Sequence, residues 1–172
     1  MKIGIDIDDT IVNTRVIEEQ FKAKYNYNAD EETWYEFCQK HVQEICELAT
    51  IKPGVKEAFD WMRNNGCEIV IITARERFDH FCNERFTARL FEENGIPYDK
   101  LIIESMPKGP DAHQHGIDLF FDDLESNLDN VSSYGIESIK VCEELTCQGK
   151  YKEFTNWYDI LAYIKLRKNM RA

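Results

Sequence analysis

Two carboxylates two residues apart, in Asp6-Ile7-Asp8-Asp9-Thr10, follow an apolar run at the start of the chain. If residues 2–7 form a strand, its period of two sends Asp6 and Asp8 to the same side at the strand's end. Like charges held together are unfavourable without a cation between them, and hard oxygen ligands of this kind suit Mg2+. Solvated acids in a turn would look the same taken alone. A second acidic pair, Asp122-Asp123, ends another apolar run at residues 117–121. Thr73 ends a third, in Ile71-Ile72-Thr73-Ala74-Arg75, where its hydroxyl and the following N–H groups can hold phosphoryl oxygens. Lys108, in Met106-Pro107-Lys108-Gly109-Pro110, supplies the cation an anion site needs, with the nearby Lys100 as its rival. Arg75 either touches a substrate's sugar or phosphate or pairs with a neighbouring acid, and Thr10 and Asn13 are further candidate substrate contacts.

These groups are useful only if the fold gathers them. Short β-branched runs at residues 2–7, 67–72, 101–103, 117–121 and 138–142 read as five strands. Helical patterns lie between them. Val55, Ala58, Phe59 and Met62 recur at i, i+3, i+4 and i+7 and are closed by Asn65-Gly66. Phe78, Cys82, Phe86 and Leu90 repeat the pattern up to Asn94-Gly95, with Pro97 just beyond, and Trp157, Ile160, Leu161 and Ile164 mark a closing helix. This alternation predicts an α/β fold: a doubly wound, mostly parallel five-stranded sheet in the order 3-2-1-4-5, with helices on both faces. Side by side, the first and fourth strands would bring Asp6, Asp8, Asp122 and Asp123 into one crevice at their carboxyl ends, where such sheets bind ligands.

Residues 15–51 break the alternation, with two helical stretches near 15–25 and 31–48 and no strand pattern. We expect a small helical cap inserted after the first strand, on a core made of residues 1–14 and 52–172, overhanging the crevice. Its aromatics Phe21, Tyr25, Tyr27, Trp34, Tyr35 and Phe37 either stack on a ring of the substrate or form the cap's own small core. An apolar face left exposed on the cap would let two copies pair.

Lys and Arg number 21 against 32 Asp and Glu, for a net charge of −11, which argues against a protein that grips a nucleic-acid polymer by its phosphates. The opening segment, cut by carboxylates, lacks the signal-peptide pattern, and no run approaches the roughly 18 apolar residues of a membrane span. The cysteines, at irregular spacing, suit reduced thiols in a cytoplasmic protein. His113 and His115, two apart, point to different faces of any short helix and read as a solvated segment. Lys165, Arg167, Lys168 and Arg171 suit the negative end of the closing helix.

Taken together, Asp6-x-Asp8-x-Thr10, Thr73, Lys108 and Asp122-Asp123 resemble, in order, the four motifs of the haloacid dehalogenase-like superfamily phosphatases, over about residues 1–14 and 52–165. DIDDT, ITAR and FDD, with an insertion after the first motif, look like the 5′(3′)-deoxyribonucleotidase branch. The resemblance implies a Mg2+-dependent phosphomonoester hydrolase. Asp6 would be the nucleophile that forms an aspartyl phosphate, and Asp8 the general acid and base. Asp6, the Asp8 carbonyl, Asp122 and Asp123 would hold the metal, with Asp123 the closer ligand of that pair. Thr73, Ala74 and Lys108 would bind the phosphate, and the substrate would be a nucleoside monophosphate. A phosphatase for sugar phosphates or another small metabolite is the alternative. A non-catalytic protein sensing a phosphorylated ligand is another, of a different class. Two departures stand out: Asp9 occupies a position where many members carry Gly, and Ala74 one where the mammalian nucleotidases have Ser.

Overall fold

The computed structural model of the chain describes residues 1–76, 83–146 and 149–170. Six strands, β1 (Lys2–Ile5), β2 (Glu68–Ile72), β3 (Lys100–Ile102), β4 (Leu119–Asp122), β5 (Glu137–Val141) and β6 (Lys152–Phe154), form one sheet in the order β3-β2-β1-β4-β5-β6. Every pairing is parallel. The helices are α1 (Thr14–Lys24), α2 (Trp34–Leu48), α3 (Val55–Asn64), α4 (Asn83–Glu93), α5 (Gly109–Gln114), α6 (Glu125–Ser132) and α7 (Trp157–Asn169).

Alternate strand residues point to opposite faces, and both faces are covered. Ile3, Ile5, Ile69, Ile71, Leu119 and Phe121 pack with Phe59 of α3, Phe91 of α4 and Trp157 and Ile160 of α7. Val70, Ile72 and Phe120 point the other way, onto Ala112 of α5 and Leu128 and Val131 of α6. This is why the central strands read as unbroken apolar runs rather than alternating ones.

Two expectations about the sheet are corrected. It has six strands, not five: β6 is a three-residue edge strand, Lys152-Glu153-Phe154, whose single aromatic leaves no apolar run, and only its ladder to β5 defines it. The first strand ends at Ile5 rather than residue 7. Asp6 N–H still donates to the Phe121 carbonyl at 2.9 Å, but the Ile7 carbonyl then receives the N–H groups of Thr10, Ile11 and Val12, so the chain folds over on itself. Helix α6 carries no strong periodic signal and went unanticipated. Phe86 and Leu90 lie on α4, while Phe78, Cys82, Cys147 and Arg171 lie outside the described residues.

Helices α1 and α2 build a hairpin on the first face's rim with a cluster of their own: Ile17, Phe21, Phe37 and Ile45, flanked by Tyr27 and Trp34. Helix α2 begins at Trp34, three residues later than its pattern suggests, because Thr33 and Glu36 form a reciprocal capping box. The hairpin's two connections run side by side. Val12 and Ile51 form an antiparallel bridge, and Asn13 Oδ1 accepts from both the N–H and the hydroxyl of Thr50 at 2.9 Å. No described helix is long and apolar enough to cross a membrane.

Candidate active site

The pairing of β1 with β4 puts Ile5 opposite Phe121, so the next residues, Asp6 and Asp122, emerge together from the sheet's carboxyl edge. Lys108 arrives from the loop after β3 as the residue preceding α5. Its side chain is 1% exposed, with Nζ 2.5 Å from Asp6 and 2.7 Å from Asp122. Asp122 is further held by the Leu124 N–H at 2.9 Å and by Asn127 Nδ2 at 3.0 and 3.2 Å. Carboxylate oxygens of Asp6, Asp122 and Asp123 lie within 4.8 Å of one another. The hydrogen bonds on Asp122 occupy both its oxygens, whereas Asp123 receives Arg15 Nη2 at 3.1 Å on one.

Asp8 takes different partners from Asp6, because it sits in the turn rather than on the strand. Arg75 clasps it through two bonds, Nε to Oδ2 at 2.9 Å and Nη2 to Oδ1 at 2.7 Å, and Thr14 at the start of α1 donates at 2.5 Å. The third guanidinium direction, Nη1, donates to Thr87 of α4 at 3.0 Å. Of the two readings of Arg75, the structure gives the ion pair. Asp9 adopts a left-handed conformation, φ 53°, which glycine enters freely and aspartate tolerates. Its carboxylate accepts the Arg15 N–H at 2.8 Å and Lys52 donates to its carbonyl, so this aspartate braces the root of α1 as a glycine could not.

The charges follow from this geometry. Burial, aided by repulsion from Asp122 and Asp8, outweighs Lys108 and holds the Asp6 carboxyl well above its ordinary value. Burial together with Asp122 and Asp9 pushes Asp123 up to about 7, against the pull of Arg15. Burial opposes the charged form of Lys108, but Asp6 and Asp122 reverse this and raise it. For Asp8 the desolvation of the crevice is overcome by Arg75 and Thr14, and the carboxyl is lowered.

Three carboxylates therefore face one buried ammonium and one half-exposed guanidinium. This excess of negative charge, on hard oxygen donors, fits a divalent cation of the Mg2+ type.

Thr73 is buried at the end of β2, its Oγ1 accepting the Arg75 N–H at 3.2 Å, and Ala74 lies exposed beside it. Lys100 is not in this cluster: it starts β3, at the opposite end of that strand, with His115 3.1 Å away. Thr10 and Asn13 also make contacts within the scaffold. Thr10 is wholly buried, with Trp157 Nε1 donating to its carbonyl at 2.8 Å, and the side-chain oxygen of Asn13 is spent on Thr50. Sequence reasoning missed Thr14, Arg15 and Asn127. Their only sequence signals were their positions six and nine residues after Asp8 or Asp6 and five after Asp122, spacings that become meaningful once the turn and α6 are known.

A crevice of about 350 Å3 opens between the α1–α2 hairpin and the core, lined by Asp8, Ala74 and Arg75 on one side and by Glu18, Tyr35, Val42 and Cys46 among others on the hairpin side. Burial beside Asp9 and Asp8 pushes Glu18 up to about 7. Cys38 and Cys46 are driven up to about 12 and about 11 by burial, so neither is a reactive thiolate.

No family model and no curated protein matches the sequence. Among solved structures, the chain is similar to a haloacid dehalogenase-like family hydrolase from Streptococcus pneumoniae, with TM-score 0.68, 11% identity, and 95% of this chain and 97% of that one covered. It is similar to a HAD phosphatase from Thermococcus onnurineus, at 0.63 and 14%, covering 95% and 98%. A HAD-superfamily hydrolase from Ehrlichia chaffeensis matches at 0.62 and 14%, with 96% of each chain covered. The chain thus has the α/β fold of the HAD-superfamily hydrolases.

Proposed function

We propose that this chain is a Mg2+-dependent phosphomonoester hydrolase acting through an aspartyl-phosphate intermediate, with nucleoside monophosphates as its substrates. The observation that carries the reading is the convergence of Asp6, Asp122 and Lys108 within 2.7 Å contacts at the ends of β1 and β4, with Asp123 beside them. The fold shared with HAD-superfamily hydrolases, one of them named a phosphatase, supports it.

Asp6 attacks phosphorus, forming a carboxyl–phosphate bond while the bond to the leaving oxygen breaks. Lys108 orients Asp6 and, with Thr73 and the backbone at Ala74, meets charge on the equatorial oxygens. Mg2+ bound by Asp6, the Asp8 carbonyl, Asp122 and Asp123 would supply the charge neutralisation that lets an anionic carboxylate approach an anionic phosphate. Asp8 gives a proton to the leaving oxygen, then takes one from the water that attacks the intermediate. Arg75 keeps Asp8 ionised and aimed, which prepares the second step. An incoming phosphate dianion raises the affinity of Asp8 for a proton and so prepares the first. We assign residues 15–51 the role of a cap over this site.

The nucleoside reading rests on the resemblance of DIDDT, ITAR and FDD, and on a crevice of small-ligand size flanked by Tyr35. Most of the cap aromatics serve its own core: Phe21 and Phe37 are buried, and Trp34 stacks on Phe37 with centroids 5.2 Å apart. Among the described residues Cys38, Cys46, Cys67 and Cys142 are in no disulfide, which suits a reducing, cytoplasmic setting.

Hydrolysis of p-nitrophenyl phosphate with and without Mg2+ tests the mechanism, comparing the parental protein with Asp6→Asn. We expect metal-dependent turnover that falls by at least about a thousandfold in the variant. Undiminished turnover in a folded Asp6→Asn protein would overturn it. A panel of deoxynucleoside monophosphates and sugar phosphates then decides the substrate, and preference for the sugar phosphates would replace the nucleotidase reading.

A further inference from the structure

The crevice beside Asp8 is where the leaving group of a phosphate ester would sit, and its charge is lopsided. Among the described residues the cation that lines it is Arg75, each of whose nitrogens already donates, two to Asp8 and the third to Thr87. Two further carboxylates line the same space: Glu18 from α1, and Glu76 in the segment that follows β2, which accepts the Tyr35 hydroxyl at 2.8 Å. Among the described residues no ion pair is made by Glu18. Val42, Ile45 and Cys46 of α2 supply an apolar stretch of the wall. A carboxylate or second phosphate entering here would face like charge across a partly desolvated gap, with no lining cation beyond Arg75 among the described residues to receive it. A hydroxyl or ammonium would find an acceptor in Glu18.

We propose that Glu18 selects the substrate's leaving group by charge: uncharged or cationic alcohols bearing hydrogen-bond donors are accepted, and anionic ones are rejected. This rests on the phosphatase reading for the placement of the ester. It goes beyond that reading by excluding phosphorylated carboxylic acids and bisphosphates as a class. Specificity of this kind comes from an element that repels the wrong ligand as much as from contacts to the right one.

The test uses three phosphonates of matched length in which a methylene replaces the ester oxygen, so that binding is read without hydrolysis: 3-aminopropyl-, 3-hydroxypropyl- and 2-carboxyethylphosphonate. Affinities are measured by calorimetry on the intact protein with Mg2+ at pH 8, above the value of about 7 at which Glu18 titrates. We expect the ammonium and hydroxyl compounds to bind at least about tenfold more tightly than the carboxylate. Glu18→Gln should shrink that ratio and Glu18→Lys should invert it. Carboxylate binding within about threefold of the hydroxyl compound, a ratio untouched by Glu18→Gln, or no binding of any of the three would each overturn the proposal. Turnover of p-nitrophenyl phosphate is scored separately. Ranked binding without turnover would sink hydrolysis and leave charge selection standing, whereas turnover without ranking would do the reverse.

Discussion

Asp6 and Asp8, two residues apart, are held in opposite electrostatic states by neighbours from distant parts of the chain. Asp6 is raised by burial, with Asp122 and Asp8 adding to it against the pull of Lys108, whereas Asp8 owns the bidentate face of Arg75 and is lowered. Arg75→Gln leaves Asp8 without its counter-charge. The stability lost should be about 1–3 kcal/mol at pH 7, below the figure for a fully buried pair because 36% of the Asp8 side chain stays open to solvent. The pH dependence has a definite sign. A carboxyl held below its ordinary 3.8 contributes stability that is present above that value and lost as pH falls through the lower, folded value. The gap between parental protein and variant should therefore close as the solution is taken below pH 4. Denaturant midpoints measured at pH 7 and in that acid range check this, and a gap that stays constant would mean that the ion pair is not its source.

At the scale of elements, the placement of Lys108 depends on how closely a six-residue helix lies against its neighbour. The N–H of Gly109, first residue of α5, donates to Asn130 Oδ1 at 2.6 Å. A Cβ at Gly109 would sit 2.7 Å from the Tyr134 ring and 2.8 Å from the Asn130 carbonyl, so α5 would have to move and carry Lys108 with it. Gly109→Ala should cost about 1–3 kcal/mol and lower turnover well beyond the loss of folded protein. Gly116→Ala is the comparison: φ is +64° with nothing within 4 Å of the added carbon, so it should cost about 1 kcal/mol in backbone strain and leave turnover intact. Chemical denaturation alongside kcat separates the two. Equal kcat in both variants would show that the approach of α5 to α6 does not seat Lys108. The α1–α2 hairpin follows another logic: its own cluster and the Asn13–Thr50 brace make it a unit joined to the core by two adjacent connections.

For the whole molecule, the −11 net charge is concentrated in part where folding brings Asp6, Asp122 and Asp123 together. Asp6 and Asp123 are raised, the latter to about 7, so without metal the folded state holds protons that the unfolded chain releases near the ordinary 3.8. Stability from this source is full below that pH and is lost as pH rises through the folded values. Mg2+ should reverse the loss, by about 2.7 kcal/mol at a hundredfold excess over its Kd, and by more at pH 8 than at pH 5.5, where protons compete. Thermal midpoints with and without Mg2+ at the two pH values measure this. Equal shifts at both, or an undiminished shift in Asp123→Asn, would count against metal binding by these acids.

The residues of the sheet and the acids at its edge were legible in the sequence because both signals are local. Apolar runs such as Ile69–Ile72 declare a strand buried on both faces, and Asp6, Thr73 and Asp122 each stand directly after such a run. Lys108 was legible as a cation in a loop, though only the descent of that loop onto β1 and β4 separates it from Lys100. Strand β6 could not be read, because an edge strand of three mixed residues is defined by its partner rather than by its own pattern. Tertiary structure alone decided that Thr10 is buried, that Asn13 pairs with Thr50, that Arg75 belongs to Asp8, and that Glu18 shares a crevice with Arg75 and Asp8. The physical reason is common to all of these: a side chain's period within its own element predicts which face it takes, but its charge partners come from other elements, and no spacing along the chain encodes those distances.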